Sequence, residues 1–273
     1  MHENLDGNSR VRSQPISLIE KIRRRARWYL GRLQVNNPIV GRLVELSGNR
    51  VRMDGLTYSV ESPNITRGHK STLLFGLHEM EERRLIKSWL PANLPLIELG
   101  GGLGVVSCLA NKTIIRPEQH VVVEANPYMI SVLEKNRALN QCRFRILNRA
   151  IAYERSTVML PLDPGFVGTN LAAVGQVADE VEVATITVAA VAAEARFDRF
   201  ALIADIEGLE EQVILRELPL LADRLRFAMF EMHPCVIGTT KVHDLLRKME
   251  EFGFRLLERQ GDERVFCVAY SRD

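Results

Sequence analysis

The residues best suited to chemistry are an acid followed by glycines at alternating positions: Glu98, Gly100, Gly102 and Gly104. Glycine accepts positive φ and lets a ligand approach the backbone without a Cβ in the way. A dinucleotide-binding loop has the pattern G-x-G-x-x-G, but Val105 occupies the sixth position counted from Gly100. The spacing therefore disfavours a dinucleotide. It suits S-adenosylmethionine (SAM), which has no phosphate and whose ammonium Glu98 could attract directly or through water.

Two further predicted strand ends offer contacts to a nucleoside. Glu124 ends an apolar stretch, where a carboxylate can accept both ribose hydroxyls. The alternative is an acid that stabilises the N-terminus of the next helix. The adjacent Ala125 and Asn126 are included as cofactor contacts. At the next strand end, Asn148 or the backbone of Ala150 could meet the adenine edge, although a plain loop would explain these two residues nearly as well.

Three carboxylates follow another apolar stretch within six residues: Asp205, Glu207 and Glu210. Such acids can deprotonate a substrate, hold a metal or cap a helix, and capping does not readily account for all three. His233 follows a further predicted strand and titrates near neutrality, which suits a general base; a structural histidine is the alternative. We predict that Glu207 or His233 is the base and that Asp205 orients it. A divalent metal on Asp205, Glu207 and His233 is a less favoured alternative.

These residues need a sheet that brings strand ends together. From residue 96 onward, short apolar stretches alternate with helical ones, which indicates a mostly parallel sheet with helices on both faces. The link 259–263 is too short for a parallel crossover, so the last two strands should pair antiparallel. The sequence therefore predicts a Rossmann-like α/β fold with a seven-stranded sheet, six strands parallel and one antiparallel. The predicted strands of this sheet are 96–99, 120–124, 144–148, 201–205, 226–231, 254–258 and 264–269. The predicted helices are 105–111, 128–140, 188–195, 208–215 and 240–252, and two further strands, 157–162 and 181–187, flank a loop that includes 163–170.

The region before the sheet has its own patterns. Residues 17–33 have apolar side chains at helical spacing with arginines between them, which predicts a basic helix that packs on its own domain or lies on an anionic membrane. Residues 39–46 and 50–60 alternate like two strands joined by a turn at 47–49, and a charged helix follows at 77–90. Residues 1–32 hold eight basic and three acidic residues, whereas the whole chain has a net charge of only +2.

Composition limits the classes of protein. The four cysteines are far apart and form no C-x-x-C pair, which argues against a zinc knuckle or a disulfide framework and fits a reducing compartment. The most apolar late stretch, 183–195, is too short to span a bilayer, and no secretory signal opens the chain. A cytoplasmic location is the expectation.

Taken together, the motifs resemble those of the FkbM-type methyltransferase family. The resemblance covers about residues 76–258. It leads us to divide the chain into an N-terminal extension, 1–75, and an FkbM-type methyltransferase domain, 76–273. The motifs that carry it are Glu98-x-Gly-x-Gly-x-Gly, Glu124-Ala-Asn-Pro, Asn136-x-x-x-Asn140, Asn148-x-Ala-Ile and Asp205-Ile-Glu-Gly-x-Glu.

Membership would imply SAM-dependent methyl transfer, usually to a hydroxyl of a sugar or natural product. It also implies that Glu79, just upstream of the domain's first strand, is a cofactor or lid contact. Two residues depart from the family pattern: Glu98 stands where Asp is usual, and Gly102 stands where Asn is common. The backbone can still cradle the cofactor, but a side-chain contact at 102 is not carried over.

We therefore expect an O-methyltransferase whose acceptor is a small molecule or glycan. Nucleic acid is disfavoured because the acids at the sheet edge repel phosphate. One alternative is a nicotinamide-dependent oxidoreductase, which the glycine spacing and the lack of a Tyr-x-x-x-Lys pair disfavour. The other is a non-catalytic module that binds a nucleoside or glycan on the same scaffold. The sequence identifies neither the acceptor nor the oligomeric state.

Overall fold

The computed structural model describes residues 36–162 and 179–273. The predicted basic helix at 17–33 and the predicted loop at 163–170 lie outside the described residues. Within the described part, the chain forms a seven-stranded sheet, a two-stranded hairpin and a three-stranded sheet.

The elements of the large sheet follow the predicted alternation, with most boundaries shifted by a residue or two. The described helices are α1 Pro38–Leu46, α2 Arg67–Leu74, α3 Met80–Trp89, α4 Val105–Thr113, α5 Pro127–Leu139, α6 Val188–Glu194, α7 Glu210–Gln212, α8 Leu218–Leu221, α9 Pro234–Ile237 and α10 Thr239–Glu251. A π-helical turn, Val213–Glu217, joins α7 to α8. The strands are β1 Arg50–Met53, β2 Leu56–Ser59, β3 Leu96–Leu99, β4 His120–Glu124, β5 Arg145–Asn148, β6 Ala150–Ile151, β7 Thr157–Leu162, β8 Asp179–Ile186, β9 Phe200–Ala204, β10 Leu225–Met232, β11 Arg255–Gly261 and β12 Phe266–Ser271.

The large sheet has the strand order β11-β12-β10-β9-β3-β4-β5. β12 pairs antiparallel with β10 and β11, and the remaining neighbours pair parallel. This confirms the predicted sheet with a single reversed strand. Leu96 of the central strand β3 aligns with His120 of β4 on one side and Ala201 of β9 on the other. The carboxyl ends of β3, β4 and β9 therefore lie together at one edge.

Apolar packing on both faces fixes these strands. Every residue of β3, β4 and β9 is buried, as expected for central parallel strands covered by helices. Ile97 of β3 packs in the cluster that contains Val191 of α6. Its neighbour Leu96 packs on the opposite face with Leu85 of α3. Since close-packed interiors resist displacement, the polar residues at the strand ends project from a rigid base.

The prediction of a strand at 39–46 is wrong, because these residues form α1. Asn37 caps the helix by accepting the first free backbone N–H groups, and Pro38 supplies a φ suited to the first turn. Gly41 lies against α2, where a Cβ would stand 2.0 Å from the carbonyl oxygen of Arg67. The helix α2 was not predicted from the sequence. In so short an apolar stretch, helical and strand periods are hard to tell apart, and the capping residues Asn37 and Pro38 favour the helix.

The predicted strand at 50–60 is a complete hairpin, β1 and β2. It turns at Asp54 and Gly55, which have φ of +53° and +79°. Asp-Gly is a favoured pair for such two-residue turns. The turn therefore lies seven residues after the predicted one at 47–49.

Two sets of polar contacts attach this hairpin to the rest of the fold. Asn136 of α5 accepts the Ser59 N–H at 2.6 Å and donates to the Ser59 carbonyl oxygen. Asn140, one turn later, makes the same paired contact with Thr57. The paired asparagines of the family motif thus hold β2, the second strand of the hairpin.

The second attachment is ionic. Asp54 lies 2.6 Å from Nε of Arg83 on α3 and also contacts Lys87. Burial raises the pKa of Asp54, but hydrogen bonds from Lys87 and Arg83 outweigh burial and leave that pKa below its ordinary value. The ionised carboxylate is therefore the form that the fold stabilises.

The small sheet adds a wall beside the carboxyl edge of the large one. β8 pairs parallel with β6 and antiparallel with β7, which confirms the two strands predicted at 157–162 and 181–187. None of the helices built by residues 36–162 and 179–273 has the length and apolar character needed to cross a membrane.

Candidate active site

A cavity of about 350 Å³ opens at the carboxyl edge of the large sheet. Open α/β sheets bind ligands at this edge, and the volume is in the range of small-molecule sites. The predicted site residues that line it are Glu79, Gly100, Gly102, Glu124, Ala125, Ala150, Asp205 and Glu207. Those that do not line it are Glu98, Gly104, Asn126, Asn148 and His233.

The glycines of the loop after β3 have two different functions. Gly100, Gly102 and Gly104 have φ of +88°, +48° and +82°. A Cβ on Gly100 would stand 1.9 Å from the carbonyl oxygen of Asp205, and one on Gly104 would stand 2.7 Å from a leucine side chain. Both are therefore required by close packing. A Cβ on Gly102 would meet only Glu79 Oε1, at 3.9 Å, so Gly102 is the glycine that leaves space in the cavity.

Glu98 is placed differently from the expectation. Its carboxylate is fully buried, accepts the Ser107 hydroxyl at 2.5 Å and lies 3.0 Å from Nε2 of His120. Burial raises the pKa of Glu98, although the contacts with His120 and Ser107 partly oppose this. The carboxylate lies outside the cavity lining, and attraction of the cofactor's ammonium by Glu98 stays a prediction. Glu98 joins α4 and β4 to β3.

Glu79 is the acid that borders the glycine loop. It precedes α3 in a left-handed conformation with φ of +48°. Its Oε2 accepts the Val106 N–H at 3.2 Å, and its Oε1 lies 3.1 Å from Nε2 of His78. Its carboxylate therefore stands between the cavity and the first turn of α4, a position that suits a cationic ligand group.

Glu124 closes the loop from the side of β4. Its Oε2 accepts the Gly102 N–H and its Oε1 accepts the Asn126 N–H, each at 2.7 Å. Burial raises the pKa of Glu124, although hydrogen bonds from these backbone groups partly oppose this. Each carboxylate oxygen has a further lone pair, so Glu124 can accept two hydroxyl groups from a ligand in the cavity.

The two asparagines predicted as cofactor contacts hold the end of β4. Asn126 caps α5 by accepting the Tyr128 N–H. Asn148 donates its amide to the carbonyl oxygens of Glu124 and Ala125. The side chains of both asparagines thus lie outside the cavity lining, whereas Ala125 lies in it.

The end of β9 brings Asp205 and Glu207 to the cavity. Glu207 has φ of +54°, a costly conformation for a residue other than glycine, and such strain clusters at functional sites. Glu210 is fully buried and accepts the Ile206 and Gly208 N–H groups at 2.9 and 2.8 Å. Stabilisation of the local backbone therefore accounts for Glu210 alone, and the other two carboxylates remain available to a ligand.

His233 meets these acids from the end of β10. Its Nε2 lies 3.1 Å from Glu231 Oε2, 3.4 Å from Glu207 Oε2 and 3.8 Å from Asp205 Oδ1. Its Nδ1 lies 3.4 Å from Glu210 Oε1. The structure therefore brings together the three residues predicted to be catalytic.

The electrostatics of this cluster follow from burial and crowding. Burial raises the pKa of Asp205 and of Glu207, and the nearby Glu231 raises both further. Burial lowers the pKa of His233, but hydrogen bonding to Glu210 and Glu231 outweighs burial and raises it to about 10. The cluster thus places one imidazole among several carboxylates that compete for positive charge.

Three acids of the cavity lining were not predicted from the sequence: Glu81, Glu82 and Glu231. Glu82 of α3 is only 2% exposed, and its Oε1 has no hydrogen-bond partner among the described residues. Its signal was its position three residues after Glu79 in the helix predicted at 77–90, since residues three apart share a helix face; in the structure Glu79 lies just before α3. Glu231 lies two residues before His233, and this spacing puts both on the same side of a strand.

Comparison with known proteins gives one family match. The model of the Methyltransferase FkbM domain matches residues 98–256, more than half of the chain. Comparison with curated proteins gives no match.

Solved structures with a similar fold include three methyltransferases. The ribosomal protein L11 methylase of Lactobacillus delbrueckii subsp. bulgaricus is 15% identical, with a TM-score of 0.42 over 72% of this chain and 80% of that one. The precorrin-6y C5,15-methyltransferase of Geobacter metallireducens GS-15 is 14% identical, with a TM-score of 0.41 over 70% and 87%. The tRNA m1G37 methyltransferase of M. jannaschii is 14% identical, with a TM-score of 0.45 over 82% and 54%. Likenesses at this level indicate nothing about the substrate of this chain.

Proposed function

The chain belongs to the FkbM methyltransferase family and is a SAM-dependent methyltransferase, and we propose that its acceptor is a hydroxyl group of a sugar, glycan or natural product. The cavity residues fit the cofactor. Gly102 provides the open backbone, and Glu124 offers two acceptor oxygens for the ribose hydroxyls. Glu79 would attract the ammonium of the methionine moiety, and the backbones of Ala125 and Ala150 would border the nucleoside.

The observation that carries the proposal is the continuity of one cavity. Gly102 and Glu124 line the same space as Asp205 and Glu207. A group bound at the glycine loop and an acceptor at the end of β9 would therefore meet inside it. SAM supplies an electrophilic methyl group there, and holding the acceptor oxygen in line with it contributes much of the rate.

The residues after β9 and β10 would manage the acceptor's proton. A sugar hydroxyl is a poor nucleophile, so a base must take its proton as the new O–C bond forms and the S–C bond breaks. Glu207 lines the cavity and His233 lies 3.4 Å behind it. Glu207 would take that proton, because His233, whose pKa is raised to about 10, already holds one near neutral pH; Asp205 would orient the pair.

The charge of the cavity supports a neutral acceptor rather than nucleic acid. Its lining includes seven carboxylate residues, Glu79, Glu81, Glu82, Glu124, Asp205, Glu207 and Glu231, against one arginine, Arg149. Phosphate groups would be repelled there, whereas hydroxyl groups can donate to the carboxylates. The cytoplasmic location and the membrane contact through 17–33 stay predictions.

Methyl-labelled SAM tests the acceptor class. The protein is incubated with the labelled cofactor and with separated glycan, lipid, small-molecule, protein and nucleic-acid fractions of a lysate. Label in a glycan or small-molecule fraction, stable to mild base as an ether is, supports the proposal. Label confined to nucleic acid or protein, or to a base-labile ester, contradicts it.

Two substitutions test the proton acceptor. Glu207→Gln and His233→Ala should each lower kcat at least about 100-fold, in line with the usual contribution of a general base, while SAM affinity stays within about threefold. Glu134→Gln on the exposed face of α5 is the matched control. Full turnover in both variants would show that neither residue is the base.

A further inference from the structure

The cluster at the ends of β9 and β10 has more carboxylates than its imidazole can satisfy. Asp205, Glu207 and Glu231 each place an oxygen 3.1–3.8 Å from Nε2 of His233. One ring nitrogen can donate only one proton. Asp205 Oδ1 is buried without a hydrogen-bond partner among the described residues. An uncompensated group of buried carboxylates is costly, and a positive charge besides the imidazole would relieve that cost.

The spacing of three of these side chains matches a coordination sphere, and Glu231 adjoins them through its contact with His233. The ligand atoms of Asp205, Glu207 and His233 all lie within 4.8 Å of one another. Bonds of about 2.1 Å from a central Mg²⁺ or Mn²⁺ would place adjacent ligand atoms about 3 Å apart and opposite ones about 4 Å apart. The observed separations of 3.4 and 3.8 Å from His233 Nε2 lie between these values. Small side-chain movements would therefore suffice to bind an ion.

A second observation, on α3, also supports a bound cation. Glu82 is 2% exposed and lines the cavity, and its Oε1 has no hydrogen-bond partner in the described part of the chain. Its carboxylate lies close to Glu231 and Cys267. Glu231 Oε2 lies 3.1 Å from His233 Nε2, and Glu231 Oε1 lies 3.9 Å from Cys267 Sγ. A buried acceptor without a donor is expensive, and a cation near Glu231 would give it a partner.

The surroundings of His233 are those of a metal-binding imidazole. Its Nδ1 faces Glu210, which is fully buried and held by two backbone N–H groups. Metal-bound histidines commonly donate their second ring nitrogen to such a carboxylate, which fixes the tautomer and directs the other nitrogen at the metal. Glu210 is thus a positioning residue that leaves Nε2 facing the three acids.

We propose that Asp205, Glu207, Glu231 and His233 bind one divalent cation of the Mg²⁺ or Mn²⁺ type. Carboxylate oxygens suit these ions, and a single imidazole favours Mn²⁺ over Mg²⁺. Four protein ligands would leave positions free in an octahedral sphere, next to the cavity that Glu207 and Glu231 line. This further step rests on the proposed function: an acceptor hydroxyl bound to the ion becomes more acidic, and the second oxygen of Glu207 remains available for its proton.

Titration of the full chain with Mn²⁺, after treatment with a chelator, tests the site. Free Mn²⁺ is followed by electron paramagnetic resonance and SAM affinity by calorimetry on the same preparation. We expect one saturable Mn²⁺ per chain. Glu231→Gln and His233→Gln should each weaken binding at least tenfold, and Glu210→Gln should weaken it about 10- to 100-fold through His233. Glu134→Gln should leave it unchanged.

The outcomes separate the cation from the methyl transfer. If the wild-type chain binds SAM but shows no saturable Mn²⁺ site up to millimolar concentration, the cation site is refuted and the proposed function is untouched. Equal Mn²⁺ affinity in wild type, Glu231→Gln and His233→Gln would place the ion elsewhere and also refute it. Tight Mn²⁺ binding without SAM binding would instead count against the proposed function. Retained SAM affinity in the variants shows that they are folded.

Discussion

Replacing Glu124 tests the geometry of the cofactor end of the cavity. Its two oxygens each accept a backbone N–H at 2.7 Å, from Gly102 and from Asn126. In Glu124→Gln, one oxygen becomes an NH₂ group that must face one of these N–H donors. The variant therefore loses the charge and one acceptor for a ribose hydroxyl, while the side-chain volume stays nearly the same.

The expected loss follows from these contacts. A hydrogen bond to a charged acceptor contributes about 1.5–3 kcal/mol, and a factor of ten in affinity is about 1.4 kcal/mol. Glu124→Gln should therefore weaken SAM binding about 10- to 100-fold. Glu124→Ala removes both acceptors and leaves two backbone N–H groups unpaired, so it should weaken binding further and lower thermal stability as well.

Calorimetric titration with SAM measures this change, and circular dichroism melts show whether each variant is folded. Glu134→Gln, which changes an exposed glutamate one helix away, should bind SAM like wild type. If Glu124→Gln melts like wild type and its SAM affinity lies within twofold, Glu124 does not bind the ribose. The orientation proposed for the cofactor would then be refuted.

Three further substitutions test the packing that supports the site. Gly100→Ala should lower the free energy of unfolding by about 3 kcal/mol or more, because its Cβ would overlap a backbone oxygen. Gly102→Ala should lower it by only about 1–2 kcal/mol, the cost of a left-handed backbone for alanine. Equal losses in urea unfolding would contradict the two functions assigned to the loop glycines. Asn136→Ala should cost about 3 kcal/mol, since it leaves buried backbone groups of β2 and of the glycine loop unpaired, and amide exchange should rise first in the hairpin. The lowered pKa of Asp54 stabilises the fold above pH 4, and this contribution is lost as pH falls through the folded-state pKa. Asp54→Asn should therefore reduce the loss of stability below pH 4 by about 1 kcal/mol, and an unchanged slope below pH 4 would contradict the ion pair.

The order and type of the sheet elements could be read from the sequence because the signal is local. Apolar stretches of four to five residues alternate with segments of helical period. Because crossovers between parallel strands are right-handed, only a few sheet topologies are compatible with this pattern. The same local patterns predicted that Gly100, Gly102, Glu124 and Asp205 lie at strand ends. Before residue 77, by contrast, the spacing of apolar residues in 39–46 is compatible with a strand and with a helix. The close contact of Gly41 with Arg67 is made only in the helical form.

The sequence by itself determined which residue types stand at the carboxyl edge, because strand ends and turn residues are properties of neighbouring positions. Only the tertiary structure decided which of them face the cavity. Glu98 and Glu79 are both acids near the glycine loop, yet Ser107 and His120 enclose the first, and only the second reaches the open side of the loop. Glu82 and Glu231 joined Asp205 and His233 because α3 crosses the end of β10 in space, which no local pattern encodes. Burial and the convergence of charge depend on distances between residues far apart in the chain, and those distances exist only once the sheet is packed.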